Sequence, residues 1–121
     1  MKINESAENY LEAIFMLKKK NGFVRSIDVA HELDFSKPSV SVAMKNFREK
    51  GYIITDEAGG ISLTEEGNKI AEKVYERHQL IASALMSLGV SEKTAFEDSC
   101  KIEHVISDES FEKLKEFLNN K

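Results

Sequence analysis

The tight turn Asp34-Phe35-Ser36, followed two positions later by the chain's only proline, limits most strongly what this sequence can fold into. Before it, Ile27, Val29, Ala30 and Leu33 recur at helical spacing, with Ser26 placed to cap a short helix. After it, Pro38 has the fixed φ that suits a first helical turn, and Val40, Ala43, Met44 and Phe47 mark one inner face. This second pattern spans about residues 37–49 and closes at Gly51. Tyr52-Ile53-Ile54-Thr55 and Ile61-Ser62-Leu63 then read as two short strands around the loop Asp56-Glu57-Ala58-Gly59-Gly60. A longer helix precedes all of this, with Ser6 as its expected cap. Tyr10, Leu11, Ile14, Phe15 and Leu17 lie on its inner face, and Asn21-Gly22 stops it. Helix, helix, turn, helix and hairpin in that order make a winged helix-turn-helix.

Charge distribution agrees with a sequence reader. The chain has 121 residues and a formal charge of −4, unlike a general nucleic-acid coater. Residues 1–55 carry nine Lys/Arg against seven Asp/Glu, while residues 56–121 carry eight against fourteen. Between Ser36 and Gly51, Lys37, Lys45, Arg48 and Lys50 face only Glu49. The basic segment is local. In a helix-turn-helix the second helix presents its first turns to base edges in the major groove. Those turns hold Ser36, Lys37, Pro38, Ser39 and Ser41, with Val42 one position deeper. Lysine and serine can hydrogen-bond bases, and valine can touch a thymine methyl. Lys45, Arg48 and Arg25 are better placed for phosphates. Asp56 and Glu57 put negative charge where a phosphate-contacting wing would carry Lys or Arg.

The second half reads as helix throughout. Thr64-Glu65-Glu66-Gly67 opens a long helix to about Leu88, ending at Gly89. Ser91 caps the next, expected to end near Ile106, and Asp108 starts a last one with Phe111, Leu114, Phe117 and Leu118. The fold class is therefore mainly α: a winged helix-turn-helix over residues 1–63, then an all-helical domain over residues 64–121. About 60 residues bury little core alone. Ile81, Leu85, Leu88, Ile102, Val105 and Ile106 either pack against a second copy of the chain or complete an internal core with the first helix.

Cys100, Glu103 and His104 stand at i, i+3 and i+4, which places a thiol, a carboxylate and an imidazole on one helical face. Such a set suits a divalent transition metal. Asn9 and Glu12 on the first helix and His78 on the fourth bring the candidate donors to six, from three helices.

The segment Ser6-Ala7-Glu8-Asn9-Tyr10-Leu11-Glu12-Ala13-Ile14, the pair Arg77-His78, and Cys100-Lys101-Ile102-Glu103-His104 together resemble the diphtheria toxin repressor and manganese transport regulator family. The resemblance covers nearly the whole chain. It implies a homodimeric repressor that binds operator DNA when loaded with Mn(II) or Fe(II), with Asn9, Glu12, His78, Cys100, Glu103 and His104 as metal-binding positions. Departures are informative. The manganese branch usually has Asp at position 9 and Glu at position 100. The iron branch has Met at the first and Cys at the second, with further ligands where this chain has Ala82 and Phe96. A thiolate favours Fe(II), Co(II) or Zn(II) over Mn(II). Co(II) and Zn(II) are thus expected to bind in vitro.

Two other classes are weighed against this one. Cys100 could act as a redox switch without metal, but Glu97, Asp98 and Glu103 would oppose the thiolate it needs. A metallohydrolase on the same donors would need a nucleophile elbow, a phosphate loop or a His-Glu-x-x-His run, none of which occurs. The expectation is no enzyme, no small-molecule substrate and no membrane partner. Met1-Lys2-Ile3-Asn4-Glu5 precedes no apolar run of the secretory kind, and a single cysteine fits a reducing, cytoplasmic compartment.

Overall fold

The computed structural model describes residues 5–120, with the backbone alone for Glu5. Met1-Lys2-Ile3-Asn4, and with it the reading of the extreme N-terminus, lies outside them. The described residues form α1 (Glu5–Asn21), α2 (Ser26–Leu33), α3 (Lys37–Lys50), β1 (Ile53–Thr55), β2 (Ile61–Leu63), α4 (Glu65–Ser87), α5 (Glu92–Ile102) and α6 (Asp108–Asn119). Two compact units result, one ending at Glu72 and the other starting at Lys73, so the division falls within α4.

In the first unit α1 places Tyr10, Leu11 and Ile14 in one core with Val24, Val29, Val40, Met44, Phe47, Ile53, Ile61 and Ala71. Each large aliphatic side chain fully removed from water here contributes about 1.5–3 kcal/mol. Two expected caps are corrected. Ser6 already lies inside α1. Arg25, not Ser26, caps α2, because its backbone N–H is held by the Asp28 carboxylate at 2.9 Å. Ile27, expected on the inner face of α2, is exposed.

The turn between α2 and α3 closes without a glycine. Asp34 adopts the left-handed conformation (φ 56°), and its N–H and that of Phe35 both return to the Ala30 carbonyl. Aspartate is among the few non-glycine residues that visit this region readily. The Phe35 ring then meets Tyr10 edge-on at 5.4 Å between centroids. Ser36 caps α3 by accepting from the Ser39 N–H. Val40, Met44 and Phe47 face inward, as the periodicity requires.

β1 and β2 pair antiparallel, Ile53 opposite Leu63 and Thr55 opposite Ile61. The Ile61 N–H reaches past the hairpin to the Val24 carbonyl at 2.8 Å and ties the wing to the body. In the wing loop the Asp56 carboxylate accepts from the N–H groups of Ala58 and Gly60. Its charge shapes the turn. Gly67, in the first turn of α4, lets the Tyr52 carbonyl approach so closely that a Cβ there would lie 2.0 Å from that oxygen.

In the second unit Ser91 and Ser107 cap α5 and α6. α5 ends at Ile102, four residues before the expected end near Ile106. The N–H groups of Val105 and Ile106 both fold back onto the Ile102 carbonyl, and the chain turns directly into the Ser107 cap. Val74, Ile81, Ala82, Ala95 and Phe111 are buried. Ile81 is therefore an internal residue and no part of an exposed face. Leu88 and Val105 do stay exposed, while Leu85, Ile102 and Ile106 are half-buried. No described helix is long and apolar enough to cross a membrane.

Candidate metal centre and DNA-reading helix

His78 stands near the middle of α4, and its backbone carbonyl accepts a short hydrogen bond from the hydroxyl of Ser99, which is fully buried on α5. That bond sets the register between the two helices. It brings Cys100 and Glu103 to His78, and one donor atom from each of the three lies within 4.8 Å of the others. Donors around one tetrahedral ion at about 2.0–2.3 Å lie roughly 3.3–3.8 Å apart, so side-chain shifts of about an ångström would let the three share one dication.

α5 stops at Ile102, but the Glu103 backbone keeps helical angles (φ −57°, ψ −25°) and its N–H still bonds to the Ser99 carbonyl. Cys100 is helical, Glu103 is the C-terminal cap, and His104 lies in the turn beyond. The turn still serves the site. Glu103 directs Oε2 to within 3.0 Å of His78 Nδ1 and Oε1 to within 3.3 Å of His104 Nε2. His78, Cys100 and Glu103 form the converging group, and His104 flanks it on the other carboxylate oxygen.

Burial and bonding bear on whether a cation fits. Glu103 is 2 % exposed, and among the described residues neither of its carboxylate oxygens has a hydrogen-bond donor. His78 Nδ1 lacks a hydrogen-bond partner too, despite the 3.0 Å approach. The 3.0 Å approach is not aligned as a hydrogen bond. Polar atoms buried without a hydrogen-bond partner are costly, and a cation among them would offset that cost. The donor set fits a divalent metal. Cys100 is the exposed edge of the group.

Phe96 and Ala82 stand at the two positions where the resemblance expects further ligands in the iron branch, and neither side chain offers a donor atom. Phe96 lies against the His78 ring at 5.3 Å between centroids, and Ala82 is fully buried. Asn9 and Glu12 stand one turn apart on α1 in the first unit, Asn9 half-buried and Glu12 buried.

Every DNA-reading residue expected from the sequence is exposed: Arg25, Ser36, Lys37, Pro38, Ser39, Ser41, Val42, Lys45 and Arg48. Val42 stands out at 62 %. An aliphatic side chain that open on a helix face has no packing role in the first unit. Ser36 and Ser39 are bonded to each other at 2.8 Å as part of the cap, so they serve the helix before any base. Arg48 leans on the wing, donating to Thr55 Oγ1 at 3.4 Å. Arg25 lies over the half-open ring of Phe23 at 4.8 Å, a contact with no trace in the spacing pattern. The spacing also gave no sign of Ser99, whose hydroxyl reaches the His78 carbonyl, or of Arg77, which donates to the Glu103 and Ile106 carbonyls. Nothing in the sequence marks Ser99, a small polar residue beside a candidate ligand.

A winged helix-turn-helix in one unit and converging metal donors in the other define a class: DNA-binding regulators that answer to a metal ion. Comparison with known proteins gives the family. Residues 2–61 match the N-terminal DNA binding domain of iron dependent repressors, and residues 64–121 match their metal binding and dimerisation domain. The chain belongs to the iron dependent repressor family. It is 36% identical over 118 residues to an HTH-type transcriptional regulator of Methanocaldococcus jannaschii, covering 96% of this chain and 94% of that protein. It is 34% identical over 113 residues to the transcriptional regulator MntR of Escherichia coli O157:H7, covering 93% of this chain and 73% of that protein. The structure of the manganese regulator SloR superposes with a TM-score of 0.79 at 30% identity over 98% of this chain. This chain spans 55% of the length of that one. The first two of these relatives are regulators of transcription, and the third is a manganese regulator.

Proposed function

We propose that this protein is a homodimeric repressor that grips operator DNA when a divalent metal, Fe(II) or Mn(II), is bound, and that its targets are metal-uptake genes. One observation carries the reading. Buried donor atoms of His78 and Glu103 without a hydrogen-bond partner converge beside Cys100 in a chain whose α3 offers an exposed reading face. When bound, the metal supplies positive charge that offsets Glu103 and binds α4 to the end of α5. The protein's own residues do the rest. Ser99 sets the register, Glu103 presents one oxygen to each flanking imidazole, and Lys37, Ser41, Val42 and Lys45 meet the DNA. In a dimer the two α3 helices would enter successive major grooves roughly 34 Å apart.

The resemblance adds Asn9 and Glu12 of α1 as further donors. Metal titration of Glu12→Gln tests this; undiminished affinity removes Glu12 from the set. Cys100 favours Fe(II) over Mn(II), with Co(II) and Zn(II) as in vitro substitutes. Such a repressor works in the reducing, cytoplasmic compartment that a lone thiol suits. The deciding experiment selects binding DNA from a random pool with metal present. Affinity is then measured with and without Mn(II), Fe(II) or Zn(II) at fixed salt. Equal affinity throughout defeats metal control. The redox alternative is not favoured, since His78 and Glu103 converge on Cys100 as metal ligands do.

A further inference from the structure

We infer that Arg77 is a positioning residue for the metal centre: its guanidinium holds the turn that carries Glu103 and His104 in the ligating conformation. The inference rests on the metal-binding reading above. It concerns a side chain that ligates nothing itself.

Arg77 is next to His78 on α4, on a neighbouring face of the helix. Its Nη1 donates to two backbone carbonyls of the turn after α5, Glu103 at 3.4 Å and Ile106 at 3.2 Å. Its Nη2 pairs with the Asp108 carboxylate in the first turn of α6. The guanidinium lies over the ring of Phe111 at 5.2 Å. Only 12 % of the side chain is exposed. One planar cation thus bridges α4, the 103–106 turn and α6.

Two physical points make this more than packing. A helix end leaves its last carbonyls without partners, and a short α5 ending at Ile102 needs a donor there to hold the turn. Arg77 supplies it, and one of the carbonyls it takes belongs to Glu103 itself. Fixing the Glu103 backbone limits where its carboxylate can point. Second, neither Glu103 oxygen receives a well-directed hydrogen bond, although His78 Nδ1 and His104 Nε2 stand 3.0 and 3.3 Å away. The backbone contact to Arg77 therefore adds a restraint that the carboxylate's own neighbours do not supply. Guanidinium suits this because its rigid fork reaches several acceptors while its face stays on an aromatic ring. Lysine can offer a point charge but not the fork.

The test uses the full chain with Co(II) alone as probe, following affinity and the Co(II) absorption spectrum. Thermal unfolding with chelator present is recorded for each protein. Arg77→Met keeps the stem over Phe111 and removes the donors; Arg77→Lys keeps the charge. Removing an outer partner of a ligand costs about 10–100-fold in metal affinity. Arg77→Met is expected to lose affinity on that scale with an altered spectrum, and Arg77→Lys to fall between it and the wild-type chain. Unchanged Co(II) affinity and spectrum in either variant overturns the inference, even if the melting temperature drops, because that pattern is structural support only. If Arg77→Met does not fold, Arg77→Lys decides on the same criteria. Failure of the wild-type chain to bind Co(II) is a different result: it removes the metal-binding reading, and with it the role assigned to Arg77.

Discussion

His78 Nδ1 and Glu103 Oε2 stand 3.0 Å apart with no hydrogen bond between them. Glu103 is nearly inaccessible to water, so its carboxylate is held at a cost in the metal-free chain. The consequence has a sign. Glu103→Gln should leave the metal-free protein as stable or more stable, by up to about 1–3 kcal/mol, the usual penalty for an unsatisfied buried polar group. The same change should abolish stabilisation by Co(II). Thermal melts with chelator and with Co(II) check both halves, and a large loss in the chelated sample would refute the first.

Under the proposed function, Cys100 sets the metal preference. Cys100→Glu replaces a soft donor with a hard one, so Zn(II) and Co(II) affinity should fall relative to Mn(II) by tenfold or more. Loss of the thiolate-to-Co(II) charge-transfer band would accompany it. Competition titrations measure the ratio, and an unchanged ratio means that Cys100 does not ligate.

Phe23 carries the Arg25 guanidinium on its ring at 4.8 Å, which under the proposed function positions Arg25 for phosphate. An exposed cation–π contact is worth about 0.5–1 kcal/mol, which is a ~2–5-fold change in affinity. Phe23→Ala should weaken DNA binding by that amount across all sequences, leaving base preference intact. Phe23→Tyr should restore it. A shift in preferred sequence would assign the residue a different role.

Gly67 is required by proximity. Adding a methyl in Gly67→Ala puts carbon 2.0 Å from the Tyr52 carbonyl oxygen, so the start of α4 must move away from the hairpin. Overpacking of this kind costs about 1–3 kcal/mol. Urea unfolding should show a lower midpoint with metal ligation in the second unit retained.

Helix positions were legible because burial imposes a 3.6-residue period. The inner face of α3 and the α1 residues Tyr10, Leu11 and Ile14 lie where the spacing of their apolar side chains puts them. The turn at Asp34 and the stop at Gly51 were legible from local chain chemistry. Caps were less so. Whether Ser26 or Arg25 closes α2 depends on the direction in which Asp28 folds back. In the acidic wing the Asp56 carboxylate accepts from two backbone N–H groups inside its own turn, a structural use that residue type alone does not reveal.

By itself the sequence determined the order of elements, the reading face of α3 and the donor types Cys100, Glu103 and His78. Those follow from local periodicity and residue chemistry. Only the tertiary structure decided that α5 stops at Ile102, that Glu103 splits its oxygens between two imidazoles, and that Arg77 clamps the turn carrying it. Each of these depends on groups more than 20 residues apart or on a carbonyl left unbonded at a helix end, and residue spacing encodes neither.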